Sequence, residues 1–359
     1  MFRQNRLLDV VLLLLSSRLV RQQTPYLASV AGFTVVDFTF HPSTHQRSTS
    51  FLLRHQGQRQ IQSRHQTAPP VTDAVRIIMM KNSPVYEDTE DRLDGYYPSQ
   101  YLINIDREKL AFDELYIARS NQLVMYLPNL GEGRDNPTSD SVLKFCIRRE
   151  RNFLVADWFG RGDSTGKLMS ATLTRWKQDV ITLLDNVPTH VKASQSGMAD
   201  FKKAVLVGNG VGVWVAVLVA LERPDLVRGI VGIGGDPDFT EELLWAQLPQ
   251  EEKDAIMRDG FREIQWGTQK EVYPITSSLI LDGRDNLVLR GGKNSLNIKC
   301  PVRLIHNLED KEVPAELSVR LAECINSPDV VVNMPKFGTL GVTEAIDQCF
   351  AASSGTYVQ

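Results

Sequence analysis

The chain has 359 residues, 42% hydrophobic and 23% charged, which is the composition of an ordinary globular protein with room for one sizeable domain plus an extension. Its formal net charge of −3 argues against nucleic-acid binding, which needs a basic face to meet phosphate. Cys146, Cys300, Cys324 and Cys349 are widely separated, with no Cys-x-x-Cys and no histidines at ligand spacing, so neither a disulfide framework nor a metal site is expected.

The charge is uneven along the chain. Residues 1–71 carry Arg3, Arg6, Arg18, Arg21, Arg47, Arg54, Arg59 and Arg64 against only Asp9 and Asp37, with no lysine or glutamate. An Arg-, Gln- and Ser-rich, acid-poor leader has the character of a mitochondrial transit segment, and residues 1–72 are read as a transit-like or docking extension. The apolar run 7–15 behind Arg3 and Arg6 also resembles the core of a secretory signal, although Asp9 interrupts it. It is too short for a comfortable membrane span, which needs about 20 apolar residues, and membrane contact through a surface-lying helix stays open. Residues 41–72 are polar and irregular and end at Pro69-Pro70. Residues 73–100, with the acidic stretch Glu87-Asp88-Thr89-Glu90-Asp91, read as a linker, and the folded core is expected to begin near residue 101.

From there strand-like and helix-like patches alternate, the pattern of a mostly parallel, doubly wound sheet covered by helices. Leu115-Tyr116-Ile117 and the run 123–127 read as strands, residues 138–150 as a helix, and 153–156 as a buried strand ending in the glycine-rich loop 157–166. A helix follows over 173–187. The run 204–207 is a strand that leads directly into Gly208-Asn209-Gly210-Val211-Gly212 and an apolar helix through Leu221. Strands over 229–233, 302–305 and 330–333 complete the core, assigned to 101–235 and 299–359. Between them, residues 236–298 break the alternation and read as a small helical lid insertion, with Trp245, Trp266 and Tyr273 expected to form its own core. Ligand chemistry in such a sheet belongs beyond the carboxyl ends of the strands.

A strand, a Gly-x-x-x-Gly turn and an immediate helix form a nucleophile elbow, in which small residues flank a strained central position. Here that central residue is Gly210. The loop Asp157-Trp158-Phe159-Gly160-Arg161-Gly162-Asp163-Ser164-Thr165-Gly166, the helix start Leu173-Thr174-Arg175-Trp176, the elbow ending in Trp214, Arg223-Pro224, and the run 306–314 appear in an order that resembles the mitochondrial abhydrolase-domain family of palmitoyl-protein thioesterases and acyl-glucuronide esterases. The resemblance covers roughly residues 110–350 and implies an α/β-hydrolase fold. It also implies a Gly-x-Ser-x-Gly elbow, an acid after the penultimate strand and a histidine after the last. Carried onto this chain, the triad positions are Gly210, Asp310 and Leu340, and only the acid is of the family's type.

The fold requires the chain order nucleophile, acid, histidine, and the histidines here are His41, His45, His55, His65, His190 and His306, none after residue 306. What the fold leaves is an oxyanion pocket made by the N–H of Val211 and one from Asn129-Leu130-Gly131, taken as Leu130. Such groups with binding alone sustain about 10³–10⁴-fold acceleration over water in enzymes stripped of their triad. Asp310 and His306 are each read as hydrogen-bonded structural groups. The glycines 208, 210 and 212 with Asp236 imitate a dinucleotide fingerprint, but Val213 stands where a glycine is required, and no cofactor is expected. A displaced nucleophile at Ser164, Thr165 or Cys300 has no histidine paired with it in the sequence. The expectation is therefore a non-catalytic accessory subunit of a mitochondrial multiprotein assembly. The alternatives are a protein that binds an apolar acyl ligand in space left by Gly210 and Leu340, or an esterase or thioesterase with a displaced nucleophile.

Overall fold

The computed structural model describes strands at 29–30, 33–38 and 77–82, and residues 95–353 apart from 104–106, 118–119, 188–202, 267–270 and 337–340. In chain order the strands are β1 (Ser29–Val30), β2 (Phe33–Phe38), β3 (Ile77–Asn82), β4 (Tyr96–Ile103), β5 (Lys109–Leu115), β6 (Leu123–Leu127), β7 (Asn152–Ala156), β8 (Ala204–Asn209), β9 (Val227–Ile233), β10 (Phe261–Trp266), β11 (Glu271–Thr276), β12 (Val302–Ile305) and β13 (Val330–Asn333). The α-helices are α1 (Pro137–Arg148), α2 (Leu173–Asn186), α3 (Val211–Glu222), α4 (Gln250–Asp259), α5 (Ser277–Asp285), α6 (Glu316–Cys324) and α7 (Val342–Ser353).

One sheet runs in the order β1-β2-β3-β4-β5-β7-β6-β8-β9-β12-β13. From β7 to β13 every neighbouring pair is parallel, and from β1 to β7 every pair is antiparallel. The central strands are continuous apolar runs because helices cover both faces, so β6 and β7 are buried along their whole length. The two-residue period then sorts their side chains. Met125, Leu154, Ala204 and Leu206 face one core with α2, α3 and α6, while Val124, Phe153, Val205 and Val207 face a second core with α1 and α7. Helix α3 is apolar on every side and residues 211–220 are all buried, as a helix must be when it lies between the sheet and other helices. Helix α1 begins where Asn136 accepts from the N–H groups of Thr138 and Ser139, with Pro137 at its first position.

Two boundaries differ from the sequence reading. The segment 73–100 supplies β3 and the first half of β4, and β1 and β2 lie inside the extension 1–72, so the sheet reaches well upstream of residue 101. The insertion 236–298 is not purely helical: a π-helical turn (Thr240–Trp245), α4 and α5 pack with the antiparallel pair β10–β11. Its core is Leu244, Ile256, Ile275 and Ile280, with Trp245 and Tyr273 against it. Among the described residues no helix is long and apolar enough to cross a membrane, and the leader run 7–15 lies outside them.

Candidate active site

The elbow joins β8 to α3 at Gly210, whose backbone sits at φ 51°, ψ −118°. Few side-chain-bearing residues hold such a conformation without strain. The flanking glycines are fixed by close approach: a Cβ at Gly208 would overlap the Gly212 backbone, and one at Gly212 would overlap the Leu127 carbonyl at the end of β6. Gly210 donates its N–H to the Ile233 carbonyl at 3.0 Å, which ties the turn to the end of β9.

The loop after β6 supplies the other wall. Leu130 N–H donates to Asn129 Oδ1 at 2.8 Å, and Val211 N–H donates to the same oxygen at 3.3 Å. The two backbone donors named from the sequence as an oxyanion pair therefore converge on one point, held by a carboxamide oxygen of the chain itself. A Cβ built at Gly210 would overlap that carboxamide, so Asn129 fills the volume that a side chain at residue 210 would need. The expected vacancy beside Gly210 is thus absent. Leu340, the other position named with it, lies outside the described residues.

Below this pair, Glu132 Oε2 accepts from Asn129 N–H at 3.0 Å, Asn209 Nδ2 at 3.1 Å and the Tyr126 hydroxyl at 3.4 Å. Burial raises the Tyr126 phenol above its ordinary pKa, and the Glu132 charge adds to the shift. Neither Asn129 nor Glu132 carries a motif that singles it out in the sequence. Their part depends on rotamers fixed only in the fold.

At the end of β12, Asp310 Oδ1 accepts from the N–H groups of Glu312 and Val313 at 2.8 and 2.9 Å. Its Oδ2 lies 3.9 Å from His306 Nε2, and 3.8 Å from where a Cβ at Gly234 would stand. His306 is fully buried and both ring nitrogens are engaged, Nε2 with the Val313 carbonyl at 2.9 Å and Nδ1 with Ser318 Oγ at 2.7 Å. Since the carbonyl can only accept, Nε2 donates to it, and in the neutral ring Nδ1 accepts a hydrogen bond from the Ser318 hydroxyl. Asp236, after β9, is pushed up to about 7 by burial, with the charge of Asp310 adding to it, and its Oδ1 has no hydrogen-bond partner among the described residues.

The displaced-nucleophile candidates are held in other roles. Ser164 donates to the Asp157 carbonyl at 2.8 Å and accepts from Ala111 N–H at 2.9 Å, and Thr165 Oγ1 accepts from Lys109 N–H at 2.8 Å, so both hydroxyls secure β5. Burial pushes the Cys300 thiol up to about 11, away from the reactive thiolate. The Asp157 carboxylate receives Arg134 N–H at 2.9 Å and Asp163 N–H at 2.9 Å, and pairs with the Arg134 guanidinium, which also bonds Asp113 at 3.0 Å and Asp163 at 2.7 Å. This network fixes the glycine-rich loop. Among the described residues no group of three His, Cys, Asp or Glu is arranged to hold a metal.

No protein-family model matches the chain. It is 28% identical over 225 residues to the protein named mitochondrial palmitoyl-protein thioesterase ABHD10 of Mus musculus, covering 62% of this chain and 70% of that one. The solved structure of α/β hydrolase domain-containing protein 10 from mouse superposes with a TM-score of 0.57 at 25% identity, covering 71% of this chain and 96% of that chain. A hydrolase structure from Agrobacterium vitis S4 gives a TM-score of 0.58 at 24% identity, over 69% of this chain and 93% of that chain, and shares the fold.

These findings overturn the expectation of a non-catalytic accessory subunit and of a chain that is not an enzyme. The relatives are named as palmitoyl-protein thioesterase, which is the name of an enzyme, and no feature of the structure marks an idle frame or a subunit role. That expectation rested on glycine at the elbow and on the lack of a histidine after residue 306. Glycine at 210 carries no side-chain nucleophile, and the N–H groups of Leu130 and Val211 beside it converge on one oxygen.

Proposed function

We propose that this chain, a member of the α/β-hydrolase family, hydrolyses acyl thioesters at the carboxyl ends of β6 and β8, with water as the attacking group. The carrying observation is the convergence of Leu130 N–H and Val211 N–H on a single oxygen. In turnover the substrate carbonyl oxygen takes the place of Asn129 Oδ1 and receives both donors. Each such donor contributes about 10²–10³-fold where it has been removed from an acyl-transfer enzyme. Glycine at 210 offers no atom to form an acyl-enzyme, so water adds to the carbonyl carbon, the bond to sulfur breaks, and the departing thiolate takes up the proton that water loses. Thioesters suit this site better than esters. With His306 buried and both its nitrogens engaged, no imidazole among the described residues serves as acid, and a thiolate, whose thiol has a pKa of about 8.5, leaves unaided more readily than an alkoxide.

Mitochondrial residence is part of the proposal. It is supported by the names of the relatives and by the arginine-rich, acid-poor leader. The division into an N-terminal extension, a core and an insertion over the strand ends is likewise proposed, with the core extended upstream to include β3 and β4.

The test is palmitoyl-CoA hydrolysis by the full chain, followed as free thiol. Val211→Pro deletes one donor at the first position of α3, where proline is otherwise tolerated. Thiol release above a heat-inactivated control, reduced about 10²-fold in Val211→Pro, is expected. Equal rates in the two proteins, or no release by either, would overturn the reading.

A further inference from the structure

Glu132 lies beside the oxyanion donors without touching the point they share. Its carboxylate oxygen Oε2 grips two residues, Asn129 through its N–H and Asn209 through its side-chain amide. Asn129 immediately precedes the donor Leu130. Asn209 precedes Gly210, and Gly210 precedes the donor Val211. One oxygen therefore joins the two segments from which the donors project, the loop after β6 and the elbow after β8. The loop is closed from the other side as well, because Glu132 N–H donates to the Asn129 carbonyl at 3.0 Å. The Tyr126 hydroxyl, rising from β6 beneath, adds a third contact at 3.4 Å to the same oxygen.

We infer that Glu132 is a positioning residue that sets the spacing between the Leu130 and Val211 N–H groups for an acyl oxygen. The inference rests on the hydrolase reading for its kinetic consequence, but its geometry stands separately. Parallel strands β6 and β8 are paired up to Leu127 and Gly208, and beyond that point the ladder ends. Each donor stands three residues past the last paired position of its strand, where the β6–β8 pairing no longer fixes their separation. Glu132 supplies a cross-link that stays in place when the substrate oxygen replaces Asn129 Oδ1 between the donors. A carboxylate oxygen can accept from several donors at once, and its charge shortens and strengthens each bond relative to a neutral acceptor. Because oxyanion stabilisation depends on donors already aimed at the developing charge, a change in this spacing lowers the rate of the chemical step while leaving the remote acyl-binding surface intact.

The experiment compares wild type with Glu132→Ala and Glu132→Gln in palmitoyl-CoA hydrolysis, together with amide NMR of Leu130 and Val211. The positioning role predicts that Glu132→Ala lowers kcat at least about tenfold with KM within about twofold, that Glu132→Gln, which keeps one acceptor oxygen, recovers most of kcat, and that both amide resonances move in the alanine variant. Wild-type turnover with kcat unchanged in Glu132→Ala would overturn the inference and leave the hydrolase reading standing. No turnover by wild type would defeat that reading instead, and the inference is then decided by NMR: static Leu130 and Val211 resonances would overturn it, and concerted shifts of the two would support the cross-link. If the alanine variant does not fold, the same comparison is made with Glu132→Gln, for which a smaller drop in kcat with unchanged KM is expected and no change in kcat or in either resonance would overturn the inference.

Discussion

Gly210 and Asn129 exclude one another's alternatives: the carboxamide occupies the space a Cβ at 210 would take, and it accepts the two N–H groups that a ligand oxygen would otherwise receive. Gly210→Ala therefore meets two costs, the positive φ and the overlap with Asn129. Replacement is expected to lower stability by about 3 kcal/mol in the wild-type background and by at least about 1 kcal/mol less when Asn129 is already alanine, because only the backbone cost remains. Urea denaturation of the four proteins of that cycle measures the difference, and equal costs in both backgrounds would contradict it. Asp236 gives a second expectation. Its carboxyl is raised from 3.8 to about 7 by burial, so the folded state holds a proton that the unfolded chain releases. The stability from that proton is complete below pH about 4 and is lost as pH rises through about 7, a few kcal/mol in all. Asp236→Asn should flatten the fall in unfolding free energy between pH 4 and pH 7, read by denaturation at matched pH values.

The elbow is a strand and a helix forced together, and the flanking glycines are what permit it. Gly212 is the sharper case, because the obstacle to a Cβ there is the Leu127 carbonyl, a backbone atom of paired strand β6 that cannot rotate away. Gly212→Ala should cost more than about 3 kcal/mol, seen as a large loss of melting temperature, whereas Gly292→Ala meets nothing within 4 Å and carries only the backbone cost of its positive φ. The sheet centre was legible in the sequence for a physical reason: strands buried on both faces, such as β6, β7 and β8, are unbroken apolar runs, and the glycine turn directly after β8 marks the elbow. Strand β4 was not legible, since Pro98 reads as a breaker. It is tolerated because the register of β4 against β5 shifts between Tyr97 and Gln100, where a missing N–H costs no ladder bond. The pair β10–β11 was hidden by its setting in an insertion of short helices. At the site, the glycines could be placed from spacing, and the positions of Leu130 and Val211 from the fold that the motifs imply. The side chains of Asn129 and Glu132 could not, because their contacts join β6 and β8 loops that are distant in sequence.

On the scale of the whole molecule, six parallel strands flanked by helices on both faces present their carboxyl ends to one region, where Asn129, Gly210, Asp236 and Asp310 all lie. The antiparallel strands β1 to β5 extend the sheet at the edge away from β13. In the proposed thioester hydrolysis, glycine at 210 offers no side-chain nucleophile, and water attacks the acyl carbon whose oxygen the Leu130 and Val211 N–H groups receive. The time course of thiol release from palmitoyl-CoA, with intact-protein mass measured during turnover, tests this most directly. Direct attack by water predicts linear release above the heat-inactivated control from the first turnover, and a protein mass that never gains an acyl group. A burst equal to the protein concentration with an acyl adduct on the chain, or no release at all, would contradict it.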